Sequence, residues 1–437
     1  MGIKHLKMLL SQLCKNSGIN SFPTADDFFA NEKIRLYKKI IQDEKINNPI
    51  KQMQIKKSIE NKPYFIGIDA FLYASRYKRV FKKIEFGFLR QIMLTLSSNM
   101  IPVYIFDGCA PEQKRKTIIN RQEKKQKIRI KLEKLLFSNA EDRPDFLSEL
   151  TLDELVNHIN NTYYKLDYIG IGENSSNDRV CCDCKDDFVV DIWDKNDSGI
   201  LLYNNTNKNA EYNEFVRLSK KSIGIEYNDI QNLKNFLDLL KIPYVTANRE
   251  ADDLMAYLYK NHIIQACQSD DMDMLPKGCG NVIQIANNGI SQYILPDILK
   301  ELGLSHHQFV DFCILLGSDY YDVYLPKIKP MDLYNTYKQL HNPSLENFVE
   351  IYSITDSKIL SHLKAYQNAR DSFLITAEDI NNQKIIKHLS PFSMNTIVEY
   401  FNNFGIYFNE QYDKNIRSMI KHVNKYIMFI NQFVVLD

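Results

Sequence analysis

Residues 241–278 read KIPYVTANREADDLMAYLYKNHIIQACQSDDMDMLPKG, and their pattern decides the architecture of the chain. Ile242 to Thr246 is a short apolar, β-branched run of strand type. Glu250 then opens a helix in which Leu254, Met255 and Leu258 recur at helical spacing. A second apolar run, Ile263 to Cys267, predicts another strand and stops at Ser269-Asp270-Asp271-Met272-Asp273. If that stop is extended, the alternate acids Asp271 and Asp273 point the same way. In an open α/β sheet the space beyond the carboxyl ends of the strands is where ligands bind. Glu250, Asp252, Asp271 and Asp273 therefore collect at two strand mouths. Like charges so placed repel unless a hard divalent cation neutralises them, and all-oxygen ligation suits Mg²⁺ or Mn²⁺. A solvated loop and an acid-rich helix start would account for either pair alone.

The pattern recurs, which favours the metal reading. PYFIGID (63–69) is a continuous apolar run of buried-strand type ending on Asp69, with the helical AFLYASRYKRVF after it. PVYIFDG (102–108) repeats strand, acid and turn glycine at Asp107. The mostly apolar helix from His307 to Leu316 runs into Gly-Ser-Asp319. His306 and His307 read as surface polar residues rather than ligands, since no other His lies at a chelating spacing.

Composition bounds the rest. A chain of 437 residues with 44% hydrophobic content can bury a sizeable core in one large domain or two. A net charge of +1 excludes a wholly basic coat and confines nucleic-acid contact to local patches. Eight scattered cysteines point to a reduced intracellular protein, and Cys181, Cys182 and Cys184 lack the second pair that a zinc finger needs. Neither a signal peptide nor a membrane span is apparent, the nearest apolar run being Tyr426 to Leu436. An intracellular, soluble, non-secreted protein is expected.

Charge is unevenly spread. From Glu112 to Leu135 ten Lys/Arg face three Glu on a strong helix-former background, which favours phosphate contact over a merely solvated face. Asn139 to Gly199 carries fifteen acids against five basic residues without periodicity, as an inserted segment would. Residues 23–62 read as helix and loop with no clear partner face. Further on, 281–286 and 291–295 look like strands, and 297–302 like a short helix.

Taken together, MGIKHLKMLL, the strand-end IDA at Asp69, PVYIFDG, IPYVTANREADD, QSDDMDML and CILLGSDY resemble, in order, the motifs of the flap endonuclease and xeroderma pigmentosum group G nuclease family. The match spans about half the chain. One candidate form is that found in large DNA viruses, in keeping with a Lys, Asn, Ile and Tyr content typical of an AT-rich genome. The resemblance implies an α/β, PIN-like fold: a twisted, mostly parallel sheet flanked by helices, with a helical arch and a C-terminal helical region. It divides the chain into an N-terminal nuclease region with the basic arch helix (1–135) and an acidic insertion (136–222). After these come an internal nuclease region with a degenerate helix-two-turn-helix (223–345) and a C-terminal helical region (346–437).

The implied activity is a structure-selective 5′ flap endonuclease and 5′–3′ exonuclease with two Mg²⁺ ions, Mn²⁺ being a substitute. By motif position the ligands would be Asp69, Asp107, Glu250, Asp252, Asp271, Asp273 and Asp319, with Asp252 where the cellular flap enzymes have Glu. Asp253 and Asp270 flank matched positions without matching ligands. Lys114 and Arg121, seven residues apart, fall on one helix face and would act on the scissile phosphate. DNA contact is assigned to Gly2, Lys114, Arg121, Lys124, Lys125, Lys327 and Lys329. The implied partner is DNA with 5′ flaps, gaps or branched junctions, in replication, repair or recombination. The site of action would be the nucleus or, for a viral protein, a cytoplasmic replication site.

Departures stand out. Ser75 replaces an aromatic that stacks on a base, with Tyr73 or Tyr77 as substitutes. Lys327 and Lys329 stand near the glycines of a phosphate-gripping hairpin, and the tail has no evident sliding-clamp peptide. Two other readings remain open, a 5′–3′ exoribonuclease and a degenerate nucleic-acid-binding module.

Overall fold

Strands β1 (Ile19–Phe22), β2 (Phe65–Asp69), β3 (Ile101–Phe106), β4 (Tyr244–Thr246), β5 (Ala266–Gln268), β6 (Asn281–Ala286) and β7 (Gly289–Ile294) form one sheet. Their order is β1-β7-β6-β5-β2-β3-β4. The computed structural model describes residues 3, 5–15, 17–61, 63–79, 81, 83–110, 114–138, 217–218, 221–286, 289–317, 328–354, 357–375, 389–404 and 410–431. Gly2, Asp319, Lys327 and the three cysteines at 181–184 lie outside the described residues, as does most of the acidic insertion.

Neighbours from β6 through β5, β2 and β3 to β4 run parallel, whereas β7 and β1 are antiparallel additions at one edge. The sequence explains the difference. All six residues of β3 are buried, as a strand covered on both faces requires, while Asn20 and Ser21 of β1 face water. The register pairs Ile68 with Gln268, Asp69 with Ile105 and Phe106 with Thr246. Four adjacent parallel strands thus leave the sheet on the same side within a residue or two of one another.

The helices are α1 (Leu6–Leu13), α2 (Ala25–Asp43), α3 (Pro49–Asn61), α4 (Ala70–Lys78), α5 (Ile84–Ser97), α6 (Arg115–Ser138), α7 (Tyr227–Leu239) and α8 (Ala251–Lys260). They continue with α9 (Leu295–Leu302), α10 (His306–Leu316), α11 (Pro330–Gln339), α12 (Leu345–Ser353), α13 (Leu363–Asp371), α14 (Met394–Asn402) and α15 (Glu410–Ile430). One face of the sheet packs against α1 and α8 to α13. The other packs against α2, α4, α5, α7, α14 and α15, so the C-terminal helices close the layer begun by the N-terminal ones. Phe88, Tyr104, Phe106, Phe236 and Phe401 are fully buried there. Removing each such side chain from water contributes about 1.5–3 kcal/mol. No helix among the described residues is long and apolar enough to cross a membrane.

Residues 23–62 do have a partner face, contrary to expectation. Thr24 caps α2 by accepting the Asp27 N–H, and Phe28 and Phe29 pack edge-on against Tyr64. Glu32, buried among them, accepts hydrogen bonds from Tyr64 Oη (2.8 Å), Asn281 Nδ2 (3.0 Å) and Gln292 Nε2 (2.5 Å), and pairs with Arg35. A buried carboxylate is tolerated only when so enclosed by donors, and this one fastens α2 to β6 and β7.

Candidate functional site

Each strand exit delivers an acid. Asp69 ends β2 and caps α4, its Oδ1 accepting the Leu72 N–H at 2.9 Å. Asp107 follows β3, and its Oδ1 accepts the Ala251 N–H at 2.8 Å, so it caps α8 from another part of the chain. Glu250 occupies the N-cap position of α8 and Asp252 its first turn, after β4. The exit of β3 and the 247–250 segment press together. Gly108 N–H donates to Arg249 O at 2.6 Å, and a Cβ at Gly108 would lie 2.2 Å from Ala247 O. Glycine is required at that contact because any side chain would overlap backbone.

The exit of β5 corrects the extended reading of the second acidic pair. Ser269 Oγ accepts the Asp271 N–H and Asp271 Oδ1 the Asp273 N–H, winding Met272–Met274 into a 3₁₀ turn. Side chains of short polar residues compete for backbone donors in this way. The turn still keeps both acids at the strand mouth, because it folds back toward α8: Asp271 and Asp252 each raise the other site acids electrostatically.

The electrostatics are severe. Asp273 is completely buried and Asp252 only 8% exposed. Among the described residues, neither oxygen of Asp273 nor Oδ1 of Asp252 has a hydrogen-bond partner. Burial pushes Asp252 up to about 7, with Asp271 adding to the effect and Lys277 opposing it. Burial and then Asp271 drive Asp273 well above the carboxylate range, and burial with Asp252 and Asp107 does the same to Asp69. Two lysines offset part of the charge. Lys114 Nζ lies 2.5 Å from Glu250 Oε1, and the wholly buried Lys277 contacts Glu250 Oε2 at 3.2 Å and Asp253 Oδ1 at 2.6 Å. Burial disfavours the charge of Lys114, yet Glu250 and Asp252 hold its pKa above the ordinary lysine value.

Asp69, Asp107, Glu250, Asp252, Asp271 and Asp273 are thus brought to one end of the sheet, while Asp319 lies outside the described residues. No three His, Cys, Asp or Glu side chains among the described residues converge as a ready metal cage. Lys114 and Lys277 engage Glu250, so the fit to a divalent ion lies in the donor chemistry of the other acids: hard carboxylate oxygens, of which Asp252 Oδ1 and both of Asp273 have no hydrogen-bond partner among the described residues. Asp270 pairs with Arg76, and Asp253 with Lys277.

Lys114 immediately precedes α6, Arg121 is half-buried on that helix, and Lys124 and Lys125 are exposed along it. Lys329 is the N-cap residue of α11. Both tyrosines offered for base stacking pack against the aromatic core. Tyr73 is buried with its hydroxyl accepting from Gln268 Nε2, and Tyr77 packs over Gly87 between Phe81 and Phe88. His306, expected at the surface, is half-buried against the 3₁₀ turn region, and burial lowers its pKa. Lys277 was missed; its one sequence signal is a lone cation in the otherwise uncharged MLPKGCG (274–280).

Residues 241–319 match the family model described as XPG I-region. The chain is 23% identical over 414 residues to a probable RAD2-like endonuclease of Invertebrate iridescent virus 6, covering 90% of this chain and 85% of that protein. It is 32% identical over 166 residues to Flap endonuclease 1 of Entamoeba dispar, covering 36% of this chain and 42% of that protein. The match thus spans less than half the length of that flap endonuclease. In fold, the chain is similar to the catalytic core of Rad2 in complex with DNA substrate, with a TM-score of 0.50 and 15% identity over 83% of this chain and 94% of that one. The mostly parallel sheet between helices is the PIN-like architecture of such nucleases.

Proposed function

We propose, from the membership of this chain in the flap endonuclease and XPG nuclease family, that it is a divalent-metal-dependent, structure-selective 5′ nuclease acting on DNA. The observation that carries the reading is Asp273, buried with both oxygens unpartnered among the described residues, beside Asp252 in the same condition at Oδ1. Uncompensated buried carboxylates are costly, and a hard cation is the ligand that removes the cost. Mg²⁺ suits the all-oxygen donors, with Mn²⁺ as a substitute. Asp69, Asp107, Glu250, Asp252, Asp271 and Asp273 would hold two ions, with Asp319 as a further ligand from outside the described residues. When bound, such ions supply an activated water and stabilise the leaving oxygen in an in-line displacement at phosphorus.

The protein's own groups do the rest. Lys114 already stands in the site on Glu250, where its ammonium can meet the charge that develops on the scissile phosphate. Arg121, two turns along α6, presents a planar fork to the same group. Lys124 and Lys125 extend the cationic face of α6 along the nucleic-acid backbone, giving sequence-independent affinity. Substrate choice among 5′ flaps, gaps and branched junctions, and service in replication, repair or recombination, follow from this reading.

The test is purified protein with Mg²⁺ against 5′ flaps, gapped duplexes, Holliday junctions, single strands and RNA. Cleavage of flapped or branched DNA that stops on chelation is expected. Preferential cleavage of RNA would transfer the chain to the exoribonuclease reading, and binding without cleavage to the degenerate module.

A further inference from the structure

Lys277 is the one lysine among the described residues whose side chain is wholly hidden from solvent. Its Nζ donates to Glu250 Oε2 and Asp253 Oδ1, and its backbone N–H donates to Asp273 O at 3.1 Å. One residue therefore joins the head of α8 to the turn that carries Asp273. Lys114 reaches Glu250 from the start of α6 and keeps part of its side chain in solvent, so substrate or metal can displace it. Lys277 is enclosed, with Asp253 as its second anchor, and has nowhere to move.

We propose that Lys277 is a positioning residue and resident counter-charge of the carboxylate site, fixing Glu250 through Oε2 and taking up charge that divalent ions would otherwise neutralise. The inference rests on the metal-dependent reading above. Two consequences follow. The acidic site stays assembled without metal, because a fixed ammonium partly relieves the mutual repulsion of its carboxylates. Divalent ions bind less tightly than they would to the same carboxylates alone, since Glu250 shares its charge with a cation that cannot leave.

The test is Mn²⁺ binding, followed by the EPR signal of free Mn²⁺, together with the metal-free melting temperature. Lys277→Met is expected to bind Mn²⁺ about tenfold more tightly, from loss of one positive charge a few ångströms from the ions. Its metal-free melting temperature should fall, and the gap to wild type should close as Mn²⁺ is added. Lys277→Met can fail to fold because Glu250 and the half-buried Asp253 lose their shared cation, so Lys277→Met/Asp253→Asn removes both partners of that ion pair. That variant should bind Mn²⁺ about threefold more tightly, because Glu250 loses the cation that it shares with Asp253. Lys277→Arg, which keeps the charge, should restore wild-type affinity. Unchanged or weaker Mn²⁺ binding in the folded Met variants, against a wild type that binds, would overturn the role of Lys277. A wild type that binds no Mn²⁺ would overturn the metal-dependent reading itself.

Discussion

Asp107 caps a helix to which it is not adjacent in sequence: its Oδ1 accepts the Ala251 N–H at 2.8 Å, one residue beyond Glu250. A carboxylate that the sequence marks as a strand-end acid thereby sets the start of α8, and with it the positions of Glu250 and Asp252. The capping bond and the Gly108 contact lock two strand exits into one rigid corner.

Substituting that corner should separate position from charge. Gly108→Ala forces the Ala247 and Asn248 carbonyls aside, which should lower stability by roughly 1–3 kcal/mol, the usual range for overpacking. Cleavage should fall about 10²-fold, since displacement of a catalytic constellation by about 1 Å has that scale of effect. Thermal melting and single-turnover rates at saturating Mg²⁺ would measure both; a wild-type rate would show that the contact does not position Asp107.

The metal-free protein should carry the signature of Asp252 in its pH dependence. Unfolded, this carboxyl ionises near its ordinary 3.8, whereas folded it holds its proton up to about 7. Between those values the folded state binds the extra proton, so stability falls as pH rises through that window and levels off above it. Asp252→Asn removes the effect. In chelator it should melt near wild type at pH 4 and progressively above wild type up to pH 7, with a constant difference beyond. A difference independent of pH would contradict the burial of this charge.

Lys114→Ala and Arg121→Ala should each lower the single-turnover cleavage rate by about 10²-fold or more, the scale for losing one preorganised donor to a developing oxyanion. Substrate affinity should change much less, because the loss falls on the transition state. Equal losses in rate and binding would reduce these residues to phosphate tethers.

Glu32 offers a control far from the chemistry. Glu32→Ala leaves Arg35, Tyr64, Asn281 and Gln292 without their shared acceptor, and removing one partner from a buried charged network costs about 3–5 kcal/mol. A marked drop in melting temperature with near wild-type cleavage below the transition is expected. Loss of cleavage in folded protein would tie α2 to the site.

The strand-end acids were legible because each signal is local: an apolar run, then an acid, then a helix or turn, as at Asp69 and Asp107. What the sequence hid depends on distant partners. Glu32 makes sense only beside Tyr64, Asn281 and Gln292, the last 260 positions away, so neither β1 nor the docking face of α2 could be read from residues 19–43. Lys277 is hidden for the same reason, since nothing near it in sequence announces that Glu250 and Asp253 enclose it. The Asp271 to Asp273 turn was misread for a different cause. Ser269 and Asp271 are cap-forming residues, and alternation of acids outweighed that capping chemistry in the extended reading. Tyr73 and Tyr77 were judged by type, yet the neighbouring Phe81 and Phe88 already mark an aromatic core.

Asp273→Asn on a 5′-flap substrate tests most directly whether the buried carboxylates that lack a hydrogen-bond partner among the described residues form a metal site for phosphodiester cleavage. Wild-type protein should cleave in Mg²⁺ and stop in chelator. Asp273→Asn should keep its fold, melt above wild type without metal because repulsion is relieved, and lose cleavage by about 10³-fold or more. Wild-type cleavage by Asp273→Asn, or undiminished wild-type cleavage in chelator, would contradict the account.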